Sequence, residues 1–497
     1  MENATLLTFI VYLIGMLAIG IIAYRITNNL SDYVLGGRKL GGGVAALSAG
    51  ASDMSSWLLL GLPGAIYVSG MGGIWIAVGL AVGAYLNWQF VASRLRTYTE
   101  VADDSITLPD YFENRFRDNS KILRIISALV ILLFFAFYTS SGLVAGATLF
   151  EASFDMDYSQ ALWIGAIVII AYTFLGGFLA VSWTDFFQGI LMLLALIIVP
   201  VVAISEIGGW GATIDAVGAI DPVYLDAFTG ATLIGVISLL AWGLGYFGQP
   251  HILTRFMAVK STKEIPKARF IGMTWMVVAL FGAIFTGFVA IAFFSVNGPG
   301  EVISAEARET VFIVFTQVLF NPWVAGFLLA AILAAIMSTI DSQLLVSSSA
   351  LAEDFYKGII RKKASDKELI WVGRIGVLLI ALLATLMATN PENTVLDLVG
   401  YAWAGFGAAF GPVIILSLFW KRMTRNGAIA GMVVGGATVI IWSILAENYK
   451  NVTLFTLYEI VPGFILATLF IIVVSLLGRE PSGEIQAEFE QVKNNEI

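Results

Sequence analysis

Long apolar stretches alternate with short polar ones along almost the whole chain. A membrane helix needs roughly 20 consecutive apolar residues. Thirteen stretches read as spans: 5–24, 41–67, 74–91, 125–147, 161–180, 186–204, 232–247, 270–294, 323–345, 370–387, 398–419, 428–445 and 460–477. No long polar segment interrupts the series, and the polar tail 478–497 is expected to be too short to fold alone. The pattern predicts an all-α polytopic membrane protein with thirteen transmembrane helices. Composition agrees: 59% of residues are hydrophobic and 12% charged, against about 25% charged in soluble domains.

The charges segregate by loop. Of the 27 lysines and arginines, 25 fall in connections on one side, and only Arg308 and Lys450 fall on the other. The positive-inside rule then places the amino terminus outside and the carboxyl terminus in the cytoplasm. Met1 to Leu6 contain no basic residue, so span one reads as a permanent helix rather than a signal peptide. The lipid bilayer is the one obligatory surrounding; no protein partner is evident. With no basic domain to neutralise phosphates, nucleic-acid binding is excluded as a main activity. The chain has no cysteine and one histidine, His251. Disulfides, thiolate metal sites and His-based clusters are therefore excluded. His251 reads as structural.

Two spans are interrupted. The second contains Gly50 through Trp57, with Asp53 among three serines, followed by Gly61, Pro63 and Gly64. An aspartate at the centre of a membrane helix costs about 2.5–3.5 kcal/mol on insertion scales. Unwinding there frees carbonyls to line a cavity. The seventh contains Trp242-Gly243-Leu244-Gly245-Tyr246-Phe247-Gly248-Gln249-Pro250. Glycines in membrane helices also serve close packing, but two breaks five spans apart lie in opposite orientation. That pairing points to an inverted-repeat secondary transporter. Span nine adds Ser338, Thr339, Asp341 and Ser342, with Ser338, Asp341 and Ser342 on one helical face. Hydroxyls and carbonyls without histidine or cysteine suit a hard monovalent cation; the ordinary alternative is hydroxyls bonding back to the preceding turn. A potassium-type filter would need four copies of a pore loop, and an intramembrane enzyme lacks a nucleophile or cofactor motif beside Asp53 or Asp341.

At these residues the sequence resembles the sodium:solute symporter family. The resemblance is carried by Tyr33-Val34-Leu35-Gly36-Gly37-Arg38, Leu47 to Trp57, Thr107-Leu108-Pro109-Asp110-Tyr111-Phe112, Tyr172-Thr173-Phe174-Leu175-Gly176-Gly177, Gly243 to Leu253 and Tyr401-Ala402-Trp403-Ala404-Gly405-Phe406-Gly407. It runs from about Tyr33 to Gly427, in order and at the matching spans. It implies a LeuT-type 5+5 inverted-repeat core: residues 41–206 and 230–420 as the two repeats, 1–40 before them, two added helices in 421–477, and the cytoplasmic tail 478–497. It implies sodium-coupled uptake of a small solute, with L-proline expected, across a bacterial plasma membrane. Sodium would lie on carbonyls of Ala51, Met54 and Ala335 and hydroxyls of Ser338 and Thr339, supported by Asp53. The substrate would lie among Ser55, Trp57, Tyr138, Trp242 and Tyr246. Aromatic faces attract a cationic secondary amine, and a broken-helix end can bind a carboxylate. The aromatics could otherwise belong to the interfacial belt. Arg38 is a candidate gate or a plain positive-inside anchor.

The sequence departs from the family pattern in two places. Ser56 stands where relatives often have glycine. Asp341-Ser342 stands where small uncharged residues are usual in proline carriers. Since some relatives, such as sialic-acid and sugar carriers, bind a second sodium in this region, Asp185, Asp341 and Ser342 form a candidate second cation site. The ordinary alternative is a cytoplasmic Lys or Arg paired with Asp341, or its protonation. Other small amino acids or organic acids, or a transporter-like sensor, remain alternatives to proline uptake. The short tail 478–497 is expected to leave no room for a signalling domain.

Overall fold

The computed structural model describes residues 2–26, 29–173, 177–390 and 394–494. Of the expected family stretch 172–177, residues 174–176 lie outside the described residues. The helices that matter here are α1 (Glu2–Ile26), α2 (Gly42–Met54), α3 (Gly61–Ser69), α4 (Ile74–Leu86), α5 (Ala92–Val101), α6 (Ile122–Phe154), α7 (Tyr158–Thr173), α8 (Phe178–Ile207) and α9 (Leu233–Leu240). They continue with α10 (Pro250–Ala258), α11 (Ile265–Phe293), α12 (Pro322–Ser349), α13 (Asp366–Met387), α14 (Val395–Phe419), α15 (Arg425–Asn448), α16 (Ile460–Leu477) and α17 (Gly483–Asn494).

Among the described residues, ten helices are long and apolar enough to cross a membrane, or eleven with the bent pair around Gln249 taken as one. The thirteen expected spans differ from this count where the backbone is broken or short. The second expected span is divided into α2 and α3 by a non-helical Ser55 and the 3-10 turn Ser56–Leu58. The fifth ends at Thr173, so Ala180 belongs to the next helix, entered through an extended Gly177. Hydropathy averaged over a whole span runs across both features because the flanking residues are apolar.

Several connections fold into short helices that hydropathy does not reveal, including Leu108–Arg115 and Trp210–Ile220. The tail, expected to be too short to fold alone, docks through α17. Its Ile485, Phe489 and Val492 are buried, spaced three or four apart on one face. Arg117 pairs with Glu484 at 2.6 Å and also with Glu488. At the centre, α2 packs against α8, α10, α11 and α12, while the turn after α9 packs against α4 and α14. Polar residues of α2 and α12 are thereby held away from lipid.

Candidate ion and substrate site

A helix end leaves its last four carbonyls without intrahelical donors. For α2 these belong to Ala51, Ser52, Asp53 and Met54. Ser55 ends the helix with φ +36°, a left-handed value uncommon for a residue with a side chain. Its Oγ accepts from the amide of Trp57 at 3.3 Å. Side chains from other helices reach the freed carbonyls. Ser338 Oγ donates to the carbonyl of Ala51 at 2.9 Å and lies 3.2 Å from that of Ala335. Tyr138 Oη donates to the carbonyl of Asp53 at 3.2 Å. Thr339 Oγ1 is buried and has no hydrogen-bond partner among the described residues. Oxygen atoms at a broken helix, opposite two hydroxyls of which one is unsatisfied, fit a hard cation such as sodium.

The second break begins where α9 tightens into the 3-10 turn Ala241–Gly248. Gln249 is extended, and Pro250 opens α10 at 45° to the preceding segment. Close approach is what the glycines allow. A Cβ on Gly243 would stand 2.2 Å from the carbonyl oxygen of Gly79, and one on Gly245 1.9 Å from the indole nitrogen of Trp403. The packing reading of these glycines and the unwinding reading both hold here.

The two breaks face each other. Tyr246 Oη donates to Asp53 Oδ2 at 2.5 Å, and the rings of Trp57 and Trp242 lie 6.1 Å apart. Trp57, Tyr138, Trp242 and Tyr246 are all buried, whereas belt residues face lipid. Asn87 donates to the carbonyl of Tyr246 at 2.8 Å, and Trp403 to that of Trp242 at 2.7 Å. These supports were not read from sequence: a single Asn in an apolar run and a Trp in a glycine-rich helix carry no local signal.

Asp185, Asp341 and Ser342 also come together, around a fourth residue. Arg255 donates to Asp185 Oδ2 at 3.1 Å and to Ser342 Oγ at 2.5 Å. Ser48 Oγ accepts from Arg255 at 3.1 Å and donates to Asp185 at 2.7 Å. Asp341 is fully buried beside this group and interacts electrostatically with both charges. Sequence counting treated Arg255 only as one of the cytoplasmic charges. His251 is fully buried, its ring 5.7 Å from Phe135 and 6.0 Å from Tyr138. Arg38 binds four partners: Asp104 Oδ1 at 2.9 Å, Thr99 Oγ1 at 3.1 Å, and the carbonyls of Met257 and Ser105, each at 2.8 Å. It thus ties the end of α10 to the end of α5. A plain anchor needs only solvent or lipid headgroups. Ser56 is fully buried, in the turn after the first break.

The profile of the sodium:solute symporter family matches residues 33–435. The chain is 56% identical to the sodium/proline symporter of Escherichia coli (strain K12), covering 98% of this chain and 95% of that protein. It is 54% identical to the high-affinity proline transporter PutP of Bacillus subtilis (strain 168), covering 96% and 99%. Among solved structures, a Na+-coupled sialic acid symporter in a substrate-bound outward-open state aligns with a TM-score of 0.80. At 20% identity, covering 96% of this chain and 99% of that one, this likeness shows a shared fold.

Proposed function

The chain belongs to the sodium:solute symporter family, and we propose that it takes up L-proline together with sodium by alternating access. The observation that carries this reading is the contact between the broken end of α2 and α12, where Ser338 Oγ meets the Ala51 carbonyl. The names of the relatives at 56% and 54% identity supply the solute.

Sodium is one of the two transported substrates. It would rest on the carbonyls of Ala51, Met54 and Ala335 and the hydroxyls of Ser338 and Thr339. Such an ion joins α2 to α12, two elements that must separate for the site to open inward. Asp53 supports it from the same break through the bond to Tyr246. Proline would lie between Trp57, Tyr138, Trp242 and Tyr246, with Ser55 at the turn. Its ring packs on aromatic faces that also attract the secondary ammonium. Because Tyr246 binds Asp53, proline at the second break and sodium at the first act on one hydrogen-bonded pair.

In the proposed topology thirteen spans cross the bilayer, counting α2 with α3 as one and α7 as another. Residues 41–206 and 230–420 are inverted repeats, the amino terminus is outside and the carboxyl terminus cytoplasmic. Arg38 acts at the inner gate. Asp185, Asp341 and Ser342 hold a cation. With the Arg255 guanidinium among them, that cation is Arg255 while it stays in place, and a second sodium enters only if it moves out.

Membrane potential contributes about 2.3 kcal/mol per charge per 100 mV. At roughly 150 mV one sodium supplies about 3.5 kcal/mol, enough for a several-hundred-fold proline gradient. Uptake of labelled proline into proteoliposomes tests the reading. Accumulation is expected with an inward sodium gradient and is expected to collapse when N-methylglucamine replaces sodium. Accumulation unchanged by the replacement overturns the coupling; accumulation of another amino acid in preference overturns the solute.

A further inference from the structure

Beyond the aromatic cluster lies a separate cavity of about 750 Å³, within the 300–1,000 Å³ range of small-molecule pockets. It is bounded by α9, the start of α14, the end of α15 and the connection before α16. Trp242 forms part of its wall. The same indole lies 6.1 Å from Trp57 and stacks on Tyr458 at 5.3 Å, so it stands between the cavity and the proposed proline pocket. Tyr458 fastens this partition. Its Oη donates to the carbonyl of Gly400 at 2.6 Å, and its amide donates to Ser238 Oγ at 3.0 Å.

The lining has one sign of charge. Asp397, Glu447 and Glu459 face the cavity with Trp242, Tyr401 and Tyr458, and no Lys or Arg is among the lining residues. Among the described residues, none of the ion pairs involves these three carboxyls. Asp397 accepts from Thr394 Oγ1 at 2.5 Å, a neutral donor within its own helix cap. Aromatic faces and carboxylates attract the same ligands, since a ring presents its negative quadrupole to a cation. An anion would be repelled, and a neutral apolar ligand would leave the carboxyls unmatched.

We propose that this cavity is a second binding site, for a small organic cation, separated from the proline pocket by Trp242. The site goes beyond the proposed transport function; the proposed topology puts it on the outer side, where α9 and α14 begin and α15 ends, and only that location rests on that reading. It would hold its ligand while proline and sodium occupy theirs.

Benzyltrimethylammonium is the probe, titrated calorimetrically at pH 8, where the Glu459 carboxyl is mostly ionised, into the purified full chain with proline and sodium saturating. Binding to the proline-loaded protein is expected. Benzyl alcohol, which has the ring without the charge, is expected to bind at least about tenfold more weakly. The pair Asp397→Asn and Glu459→Gln is expected to weaken the cation at least about tenfold and leave proline affinity unchanged. Loss of cation binding on saturation with proline means one shared site and overturns the proposal. So does equal binding of benzyl alcohol, or cation binding unaffected by the neutralised carboxyls. If the variants fail to fold, the wild-type comparison of cation and alcohol decides. If proline itself does not bind, the transport reading fails, and the cavity is still judged from cation against alcohol.

Discussion

Tyr246 and Asp53 are 193 residues apart in sequence, yet the tyrosine hydroxyl donates to the aspartate carboxylate at 2.5 Å, from one broken helix to the other. Both residues are buried. Leaving a buried carboxylate oxygen without its donor costs about 1–3 kcal/mol. Tyr246→Phe removes the donor and keeps the ring. Proline binding at limiting sodium is expected to weaken about tenfold or more, with a smaller change at saturating sodium. Equal weakening at both sodium levels would show that the bond does not serve the coupling.

Ser338 and Thr339 offer the cleanest access to the proposed sodium site. Hydrogen bonds to charged groups contribute about 1.5–3 kcal/mol, and an oxygen ligand to sodium belongs to the same range. Ser338→Ala and Thr339→Ala are each expected to raise the half-saturating sodium concentration about tenfold or more. The KM for proline at saturating sodium stays near its original value. Sodium titration of proline uptake in proteoliposomes reads both quantities.

Trp57 and Trp242 present their rings to each other at 6.1 Å. If proline packs on them as proposed, replacing either by Ala is expected to remove a cation–aromatic contact of ~2 kcal/mol in a dry site, or about thirtyfold in affinity. Isothermal titration with proline at saturating sodium measures it. Normal affinity in the variants would instead assign both rings to packing.

Arg255 bears on stoichiometry. With its guanidinium held by Asp185 and Ser342, one positive charge is expected to cross with each zwitterionic proline. Asp341→Ser is then expected to leave the sodium dependence of transport unaltered. Charge movement in proteoliposomes at fixed potential decides, and two charges per proline would restore a second sodium at Asp185, Asp341 and Ser342.

Glu459, just before α16, has its carboxyl pushed up from 4.5 to about 7, chiefly by burial, with the nearby Asp397 adding to it. The folded protein therefore disfavours the ionised form. Below pH 4.5 this group has no effect on stability. Between pH 4.5 and about 7 stability falls as pH rises, because the unfolded chain ionises first. Above that, the loss is constant, at most about 3–4 kcal/mol at 1.36 kcal/mol per pKa unit. Glu459→Gln is expected to raise the melting temperature at pH 8 by a few degrees and leave it unchanged near pH 4.5. Melting curves of the purified protein at both pH values are the check, and an equal shift at both would assign the effect to packing.

Local sequence carried the membrane class, the two interruptions and the oxygen-rich face of α12. Hydropathy and backbone preference act over one or two turns, so an aspartate among serines or three glycines before a proline declares itself without tertiary context. The same locality misplaced the boundary between α7 and α8 and missed the docking of α17, whose apolar face is only three residues long. Packing alone decided the partners. Asp185 and Arg255 are 70 residues apart, and nothing along the chain distinguishes that arginine from the solvated ones near it. Tyr458 and Trp403 likewise gain their positions against Trp242 only when α14 and the connection before α16 close around α9. A charge or a ring acquires its role from what lies across the helix interface, and that distance is set by the fold.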